Sequence, residues 1–186
     1  HGFPEISFSW RKILPLLAKE GFRVIAIDQR GYGKTTGGSI KYEDDIREYN
    51  LINLSFDLVS FINEMKINKI DLLVGHDAGS IVAGAATLLR PDLFKSLVMM
   101  SAPFTGPEKF EKNKTQLNIH SELKKLSPPR KHYQWYYSTK EANDDMSLSS
   151  KKELSYFLRS YFYVKSADWK YNCLLYTSDA ADDDAC

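Results

Sequence analysis

The sequence predicts an α/β fold, in which helices flank a parallel β-sheet, and three observations support that prediction. Short apolar runs typical of buried parallel strands alternate with segments whose apolar residues recur at helical spacing. Glycine-punctuated loops, at 28–33 and 75–79, follow two of the predicted strands. The chain has 186 residues, enough for a domain with a buried core. Alternation of strand and helix is typical of a sheet whose strands are joined by helical crossovers.

The predicted elements follow one another along the first hundred residues. Ser7 or Ser9 is expected to cap a first helix, in which apolar residues recur from Trp10 to Leu17 and which Gly21 ends. Pro15 argues against a straight helix there. The other predicted elements are a buried strand at 22–27, a helix at 51–65, a strand at 70–74, a small-residue helix at 80–89 and a strand at 96–100.

The composition changes after Pro103, and this change predicts the domain organisation. A polar, lysine-rich segment is followed by crowded aromatic residues, some at helical spacing. We predict a core domain at 1–104, the start of a mainly helical cap, or lid, at 105–172, and a non-native tail at 173–186 that resembles a translated sequencing adapter. Because His1 lacks any lead-in, we expect a fragment truncated at both ends, with an incomplete sheet.

Composition narrows the classes of function. The formal net charge is +1, which gives no reason to expect a nucleic acid or an anionic membrane as partner. No apolar run approaches the ~20 residues of a membrane span. The two cysteines, Cys173 and Cys186, both fall within the tail, so we expect a reducing compartment, the cytoplasm. Nothing in the sequence implies a cofactor or a metal, and the oligomeric state is left open.

One motif carries the chemistry. Gly75-His76-Asp77-Ala78-Gly79 joins a predicted strand to a predicted helix, in the pattern of a nucleophile elbow with aspartate at its tip. The alternative is a strand-to-helix loop whose aspartate only caps the helix. A phosphate-binding loop ending in Lys34-Thr35 is rejected, because the motif needs glycine where Asp28 stands.

Taken together, the motifs resemble those of epoxide hydrolases of the α/β-hydrolase superfamily, in a fungal-type branch. Their order and spacing along the chain are more specific than any one of them. They are HGFPE at 1–5, SWR at 9–11, DQRGYG at 28–33, GHDAG at 75–79, RP at 90–91, SAPF at 101–104, PPRKHYQWYYS at 128–138 and KSADW at 165–169.

The resemblance implies hydrolysis of an epoxide to a vicinal diol in two steps. Asp77 would attack an epoxide carbon and form an alkyl-enzyme ester, which water then cleaves. An aspartate side chain, with an unperturbed pKa of about 3.9, is ionised at neutral pH and needs no base to activate it. Tyr133 would donate a proton or hydrogen bond to the epoxide oxygen, with Tyr136 and Tyr137 as alternatives. A second cap tyrosine is expected outside this chain.

The resemblance also implies how the second step is assisted. The backbone N–H groups of Phe3 and Ala78 would form an oxyanion hole. His1 is expected to form hydrogen bonds within its loop, and His76 to be structural, since adjacent strand residues point to opposite faces. The general-base histidine and its acidic partner follow the cap in this superfamily, and His120 and His132 do not match them.

Two other functions stay open. Haloalkane dehalogenases on the same fold carry tryptophan after the nucleophile, where this chain has Ala78, and a halide-binding donor where it has Phe3. A non-catalytic binding protein would keep Asp77 but lack the late histidine. Without that base, the fragment itself is expected to be inactive, and the predicted activity belongs to the full-length parent.

Overall fold

A computed structural model describes residues 1–35, 41–106, 118–130 and 132–170. The chain divides into two compact units, one within residues 1–109 and the other within 110–186. The division into an α/β core and a cap stays a prediction. Both cysteines and the predicted tail lie outside the described residues.

The first unit contains a small parallel β-sheet with flanking helices. Strand β1 pairs with strand β2 in parallel, with Leu73 opposite Leu97 and His76 opposite Met100. The elements in chain order are a 3-10 segment Ser7–Lys12, α1 Leu14–Lys19, a 3-10 turn Ile46–Tyr49, α2 Leu51–Glu64, β1 Leu73–His76, α3 Ala78–Leu89 and β2 Leu97–Met100. The predicted α/β class, with an incomplete sheet, is confirmed.

The first helix begins differently from the prediction. The 3-10 segment and α1 start after Ile6 and Ile13, neither of which caps through its side chain. Ser7 and Ser9 are not caps because both lie inside the 3-10 segment, and the Ser7 N–H donates to Asp28 Oδ1, at 2.7 Å. Pro15 lies in the first turn of α1, where its missing N–H breaks no helical hydrogen bond. The single helix predicted here is therefore divided into a 3-10 segment and α1, and Pro15 lies where α1 begins.

The predicted buried strand at 22–27 is wrong in this structure. Residues 22–29 belong to neither a helix nor a strand, and Phe22 and Ile25 are 51% and 40% exposed. A strand needs a hydrogen-bonded neighbour, and within the described residues the sheet consists of β1 and β2. The apolar run therefore predicted neither the strand nor its burial correctly, because the composition of a segment does not supply the adjacent strand.

The core of the first unit lies between α2, α3 and the sheet. Val59 and Ile62 of α2 pack with Ala86 of α3 and with Leu93 and Phe94, which precede β2. The helix predicted at 51–65 is confirmed, and Asn50 caps it by accepting the N–H of Asn53 at 2.9 Å. This packing fixes the direction in which α3 leaves the sheet.

Asp28 links two loops of the first unit. Besides accepting the Ser7 N–H through its carboxylate, it accepts the Thr35 hydroxyl through its backbone carbonyl, at 2.8 Å. Gly33 is needed beside it, because a Cβ there would lie 2.0 Å from Asp28 Oδ2. Hydrogen bonding by the Ser7 backbone holds the pKa of the Asp28 carboxyl below its ordinary value.

This lowered pKa predicts a pH-dependent contribution to stability. A carboxylate whose pKa is lower in the folded state stabilises the fold above its unfolded pKa, near 3.9, and loses that contribution as the pH falls through the folded value. We expect Asp28→Asn to unfold at lower urea concentration than the wild type at pH 7, with the gap narrowing below pH 4. Urea titrations from pH 7 to pH 3 measure it. A gap that is constant over this range would contradict the role of the charge.

The second unit is mainly helical over its described residues, as predicted for this segment. Its helices are α4 Ile119–Lys124, α5 Tyr133–Tyr137, α6 Lys140–Met146 and α7 Lys151–Val164. Ser150 and Glu153 form a capping box at the start of α7, in which each side chain accepts the other's backbone N–H. Across the described parts of both units, no helix is long and apolar enough to cross a membrane.

Candidate active site

Asp77 occupies the turn between β1 and α3. Its backbone angles, φ 55° and ψ −126°, are strained for a residue with a side chain. Hydrogen bonds hold it on both sides: its N–H donates to the Met100 carbonyl and its carbonyl accepts the Ser80 N–H, both at 2.9 Å. The strand, sharp turn and helix predicted from the motif are therefore present.

The glycines around Asp77 are required by space. A Cβ on Gly75 would lie 2.4 Å from the Gly79 carbonyl oxygen and 2.7 Å from Ser80 Cα. A Cβ on Gly79 would lie 2.8 Å from both the nitrogen and the carbonyl oxygen of His1. Since these neighbours are backbone atoms, they cannot move aside as a flexible side chain could. Glycine at both positions therefore allows β1, α3 and the loop at residues 1–5 to approach one another closely.

Ser80 is fully buried and fastens this junction. Its hydroxyl oxygen accepts the Met100 N–H at 2.9 Å and lies 3.0 Å from the Gly75 carbonyl and 3.2 Å from the Met100 carbonyl. A hydroxyl carries one proton, so it donates to one of these two carbonyls at a time. Ser80 thereby joins α3 to the ends of both strands.

The Asp77 side chain lies against the loop at the start of the chain. It is half-buried, and a Cβ on Gly2 would lie only 2.0 Å from Asp77 Oδ1. The carboxylate oxygen thus packs beside Gly2, whose carbonyl carbon bonds to the nitrogen of Phe3. Ala78 is the first residue of α3, where a backbone N–H has no partner within its helix. Of the two N–H groups predicted for the oxyanion hole, that of Phe3 follows the residue against which this carboxylate packs, and that of Ala78 follows Asp77 directly in the chain.

His1 holds that loop in place. Its buried ring accepts the Gln29 N–H at Nε2, at 3.0 Å, so the proton sits on Nδ1, which donates to the Gly2 carbonyl at 3.1 Å. The ring also meets Tyr32 edge to face, with 4.8 Å between centroids. His1 therefore has the loop-forming role predicted from the sequence, and both of its ring nitrogens are engaged.

Two features near Asp77 were not predicted from the sequence. Glu5 Oε2 lies 3.1 Å from His76 Nδ1, which pairs the first loop with the end of β1. Burial, and next the negative charge of Asp77, raise the pKa of the Tyr32 phenol. Glu5 and Tyr32 both belong to the motifs at 1–5 and 28–33, which was the available signal, but the motifs did not indicate what these side chains contact.

Tyr133 is placed in an aromatic cluster of the second unit. It is the first residue of α5 and is 37% exposed. The His132 ring stacks on it at 4.8 Å, and Tyr137 meets it edge to face at 5.5 Å. The Lys165 ammonium lies 5.8 Å from the centre of its ring. The environment of this phenol is therefore aromatic and cationic.

The two alternative tyrosines have different surroundings. The Tyr136 hydroxyl donates to Asp145 Oδ2 at 2.5 Å, and this bond raises the pKa of Tyr136 to about 12. Burial, followed by the neighbouring Tyr161, raises the pKa of Tyr137 to about 12. A phenol bonded to a carboxylate is a weaker donor to a further oxygen, which disfavours Tyr136 as the donor to an epoxide.

A family model described as alpha/beta hydrolase fold matches residues 1–152. The chain therefore belongs to the α/β-hydrolase fold family. The elbow at Asp77, built from a strand, a strained turn and a helix, is the feature of this structure that is most typical of that fold.

Known proteins similar to the chain are epoxide hydrolases. It is 38% identical over 104 residues to an epoxide hydrolase of Caballeronia sordidicola, covering 56% of this chain and 30% of that protein. It is 35% identical over 147 residues to epoxide hydrolase B of Mycobacterium tuberculosis, covering 76% and 39%. An epoxide hydrolase structure from Vigna radiata superposes with a TM-score of 0.53 at 36% identity, over 58% of this chain and 33% of that one.

The resemblance to epoxide hydrolases predicted from the motifs is thereby confirmed. The chain spans 30% and 39% of the length of the two curated relatives named above.

Proposed function

We propose that the protein containing this chain hydrolyses an epoxide to a vicinal diol, with Asp77 as the nucleophile. The observation that carries the proposal is the carboxylate at the tip of the elbow, half-buried beside the Gly2 backbone. A carboxylate suits attack at the sp3 carbon of an epoxide, since the product is an ester that water can cleave. The similarity to enzymes named epoxide hydrolases supports the same reaction.

In the first step an Asp77 oxygen bonds to an epoxide carbon while the carbon–oxygen bond of the ring breaks. The epoxide oxygen takes the phenol proton of Tyr133. General acid catalysis of this kind is worth typically ~10²–10⁴-fold. In the second step water adds to the ester, and the N–H groups of Phe3 and Ala78 stabilise the negative charge that develops on the Asp77 side-chain oxygen.

The base that activates this water is assigned to the longer protein. His1 has both ring nitrogens engaged, and His76 is paired with Glu5. His120 and His132 lie in the second unit and match no family motif for the base. We propose that the histidine and its acidic partner come from outside residues 1–172. The partners of the reaction are then an epoxide and water, and the low cysteine count favours a cytoplasmic location.

The experiment compares two substrates in the full-length protein. Styrene oxide is assayed for diol and 1-bromobutane for bromide release, at equal enzyme concentration. We expect diol and no bromide. Bromide without diol would assign the protein to the dehalogenases, and neither product, with the fold intact, would favour a non-catalytic binding protein.

A substitution tests the donor. We expect Tyr133→Phe to slow ring opening roughly 10²- to 10⁴-fold, because the alkoxide loses its proton donor. Rapid acid quenching followed by intact mass spectrometry measures the rate at which the alkyl-enzyme forms. Tyr136→Phe is the matched control, since its hydroxyl is bonded to Asp145, and it should stay near the wild-type rate. Equal rates for Tyr133→Phe and the wild type would transfer the role to another tyrosine.

A further inference from the structure

The cap unit contains a cation placed against its tyrosines. Lys165, directly after α7, donates from Nζ to the Tyr161 hydroxyl at 2.6 Å. The same ammonium lies 4.4 Å from the centre of the Tyr161 ring and 5.8 Å from that of Tyr133. A lysine ammonium within ~6 Å of a ring centre is attracted to its face. One positive charge therefore bridges α7 and the first residue of α5.

Hydrogen bonding and ring contacts connect the same charge to the rest of the cluster. Tyr161 hydrogen-bonds with Tyr137, and the Tyr137 ring meets Tyr133 edge to face at 5.5 Å. Lys165 also acts on Tyr137 in the direction that lowers the pKa of its phenol, against the larger effect of burial. Tyr133 is thus held between His132 on one side and a group of side chains organised by Lys165 on the other.

We propose that Lys165 is a positioning residue for the cap tyrosine, whose ammonium orients the phenol of Tyr133 and favours its proton donation to the substrate oxygen. The inference rests on the proposed function, because it deepens the role given there to Tyr133. As the ring opens, the proton leaves Tyr133 for the epoxide oxygen, the carbon–oxygen bond breaks and the Asp77 oxygen bonds to carbon. A phenolate remains on Tyr133 until solvent reprotonates it, and the ammonium stabilises that negative charge.

The direction in which Lys165 shifts the pKa of Tyr133 follows from the positive charge of its ammonium. A nearby cation favours the phenolate and so lowers the pKa of a tyrosine, which strengthens it as an acid at neutral pH. The titratable groups that face Tyr133 and Lys165 within residues 118–170 include His132, Tyr137 and Tyr161. The limb of a rate profile above pH 9 reports on the coupled phenol and ammonium groups of this cluster, and the Lys165 variants separate the part that belongs to the Tyr133–Lys165 pair.

The kinetic test uses three variants of the full-length protein with styrene oxide. Lys165→Met should slow formation of the Asp77 ester about 10-fold at pH 7 and move the basic limb of its pH profile upward by about one unit. Lys165→Arg keeps the charge and should restore the limb to its wild-type position. Lys152→Met, at an exposed position of α7, is the matched control and should match the wild type.

Two kinetic outcomes would overturn the proposal. One is that Lys165→Met changes neither the rate of Asp77 ester formation nor the position of the basic limb of its pH profile. The other is a slower rate in Lys165→Met and Lys165→Arg alike, with no movement of the limb, which is the behaviour of a packing role.

A second measurement separates this proposal from the proposed function. Tyrosines labelled with ¹³C at Cζ are titrated by NMR, with the Tyr133 signal assigned from Tyr133→Phe. Its pKa should rise by about one unit in Lys165→Met and stay near the wild-type value in Lys165→Arg. If no ester ever forms on Asp77, the proposed function fails, while this titration still decides whether Lys165 acts on Tyr133.

Discussion

Asp77→Asn in the full-length protein should abolish formation of the alkyl-enzyme, lowering its rate by at least about 10⁴-fold. The amide nitrogen and oxygen lack the negative charge and nucleophilicity of the carboxylate that Asp77 places at the tip of the elbow. The measurement is intact mass after millisecond mixing with styrene oxide and acid quenching. The wild type should gain the mass of one whole epoxide, since ring opening by addition loses no atom.

Two further variants complete this test. Asp77→Ala cannot return to aspartate by deamidation, so it removes the slow recovery expected of the asparagine variant. Asp92→Asn is the matched control, because Asp92 is an exposed carboxylate paired with Arg90 at 2.7 Å. An adduct of epoxide mass on either Asp77 variant, mapped to another residue, would show that the nucleophile has been misassigned.

The elbow could be predicted because its causes are local. Gly75 and Gly79 stand at fixed distances from Asp77 in the sequence, and the apolar run before them and the small residues after them define a strand and a helix. The same local signals predicted α2. What they could not supply is partners distant in sequence, such as the pairing of Glu5 with His76, which lie 71 residues apart.

The wrong predictions also arise from contacts between residues that are distant in the sequence. Ser7 looks like a helix cap from its neighbours, but it lies inside the 3-10 segment, and its N–H donates to Asp28, 21 residues away. The run at 22–27 has the composition of a buried strand, yet a strand exists only where another supplies its ladder. Tyr136 and Tyr137 stay alternatives to the predicted Tyr133 for the same reason, since the sequence spacing does not show that Tyr136 reaches Asp145.

Gly75→Ala should lower the free energy of unfolding by about 3 kcal/mol or more, which is enough to leave a marginal domain largely unfolded. The added methyl group would lie 2.4 Å from the Gly79 carbonyl oxygen, and relieving that clash requires separating β1 from α3. Urea unfolding followed by far-UV circular dichroism measures the change. If the variant does not fold under conditions where the wild type folds, the loss in free energy of unfolding is larger still and the prediction is met.

Gly21→Ala is the matched comparison, because it separates crowding from backbone conformation. Gly21 has φ 87°, but a Cβ there meets nothing within 4 Å. It should cost about 1 kcal/mol, the strain of a left-handed residue alone. Equal losses in the two variants would mean that close contact at the elbow is not what requires glycine at position 75.

The contribution proposed for Phe3 and Ala78, through backbone atoms alone, has a consequence for laboratory evolution. Their side chains are exposed, at 37% for Phe3, and are not needed for the hydrogen bonds assigned to these residues. A library that varies positions 3 and 78 can therefore reshape substrate selectivity while leaving the chemistry intact. Randomising positions 75, 79 or 80 would instead yield mostly insoluble variants. Positions 3 and 78 are therefore the better targets for a screen.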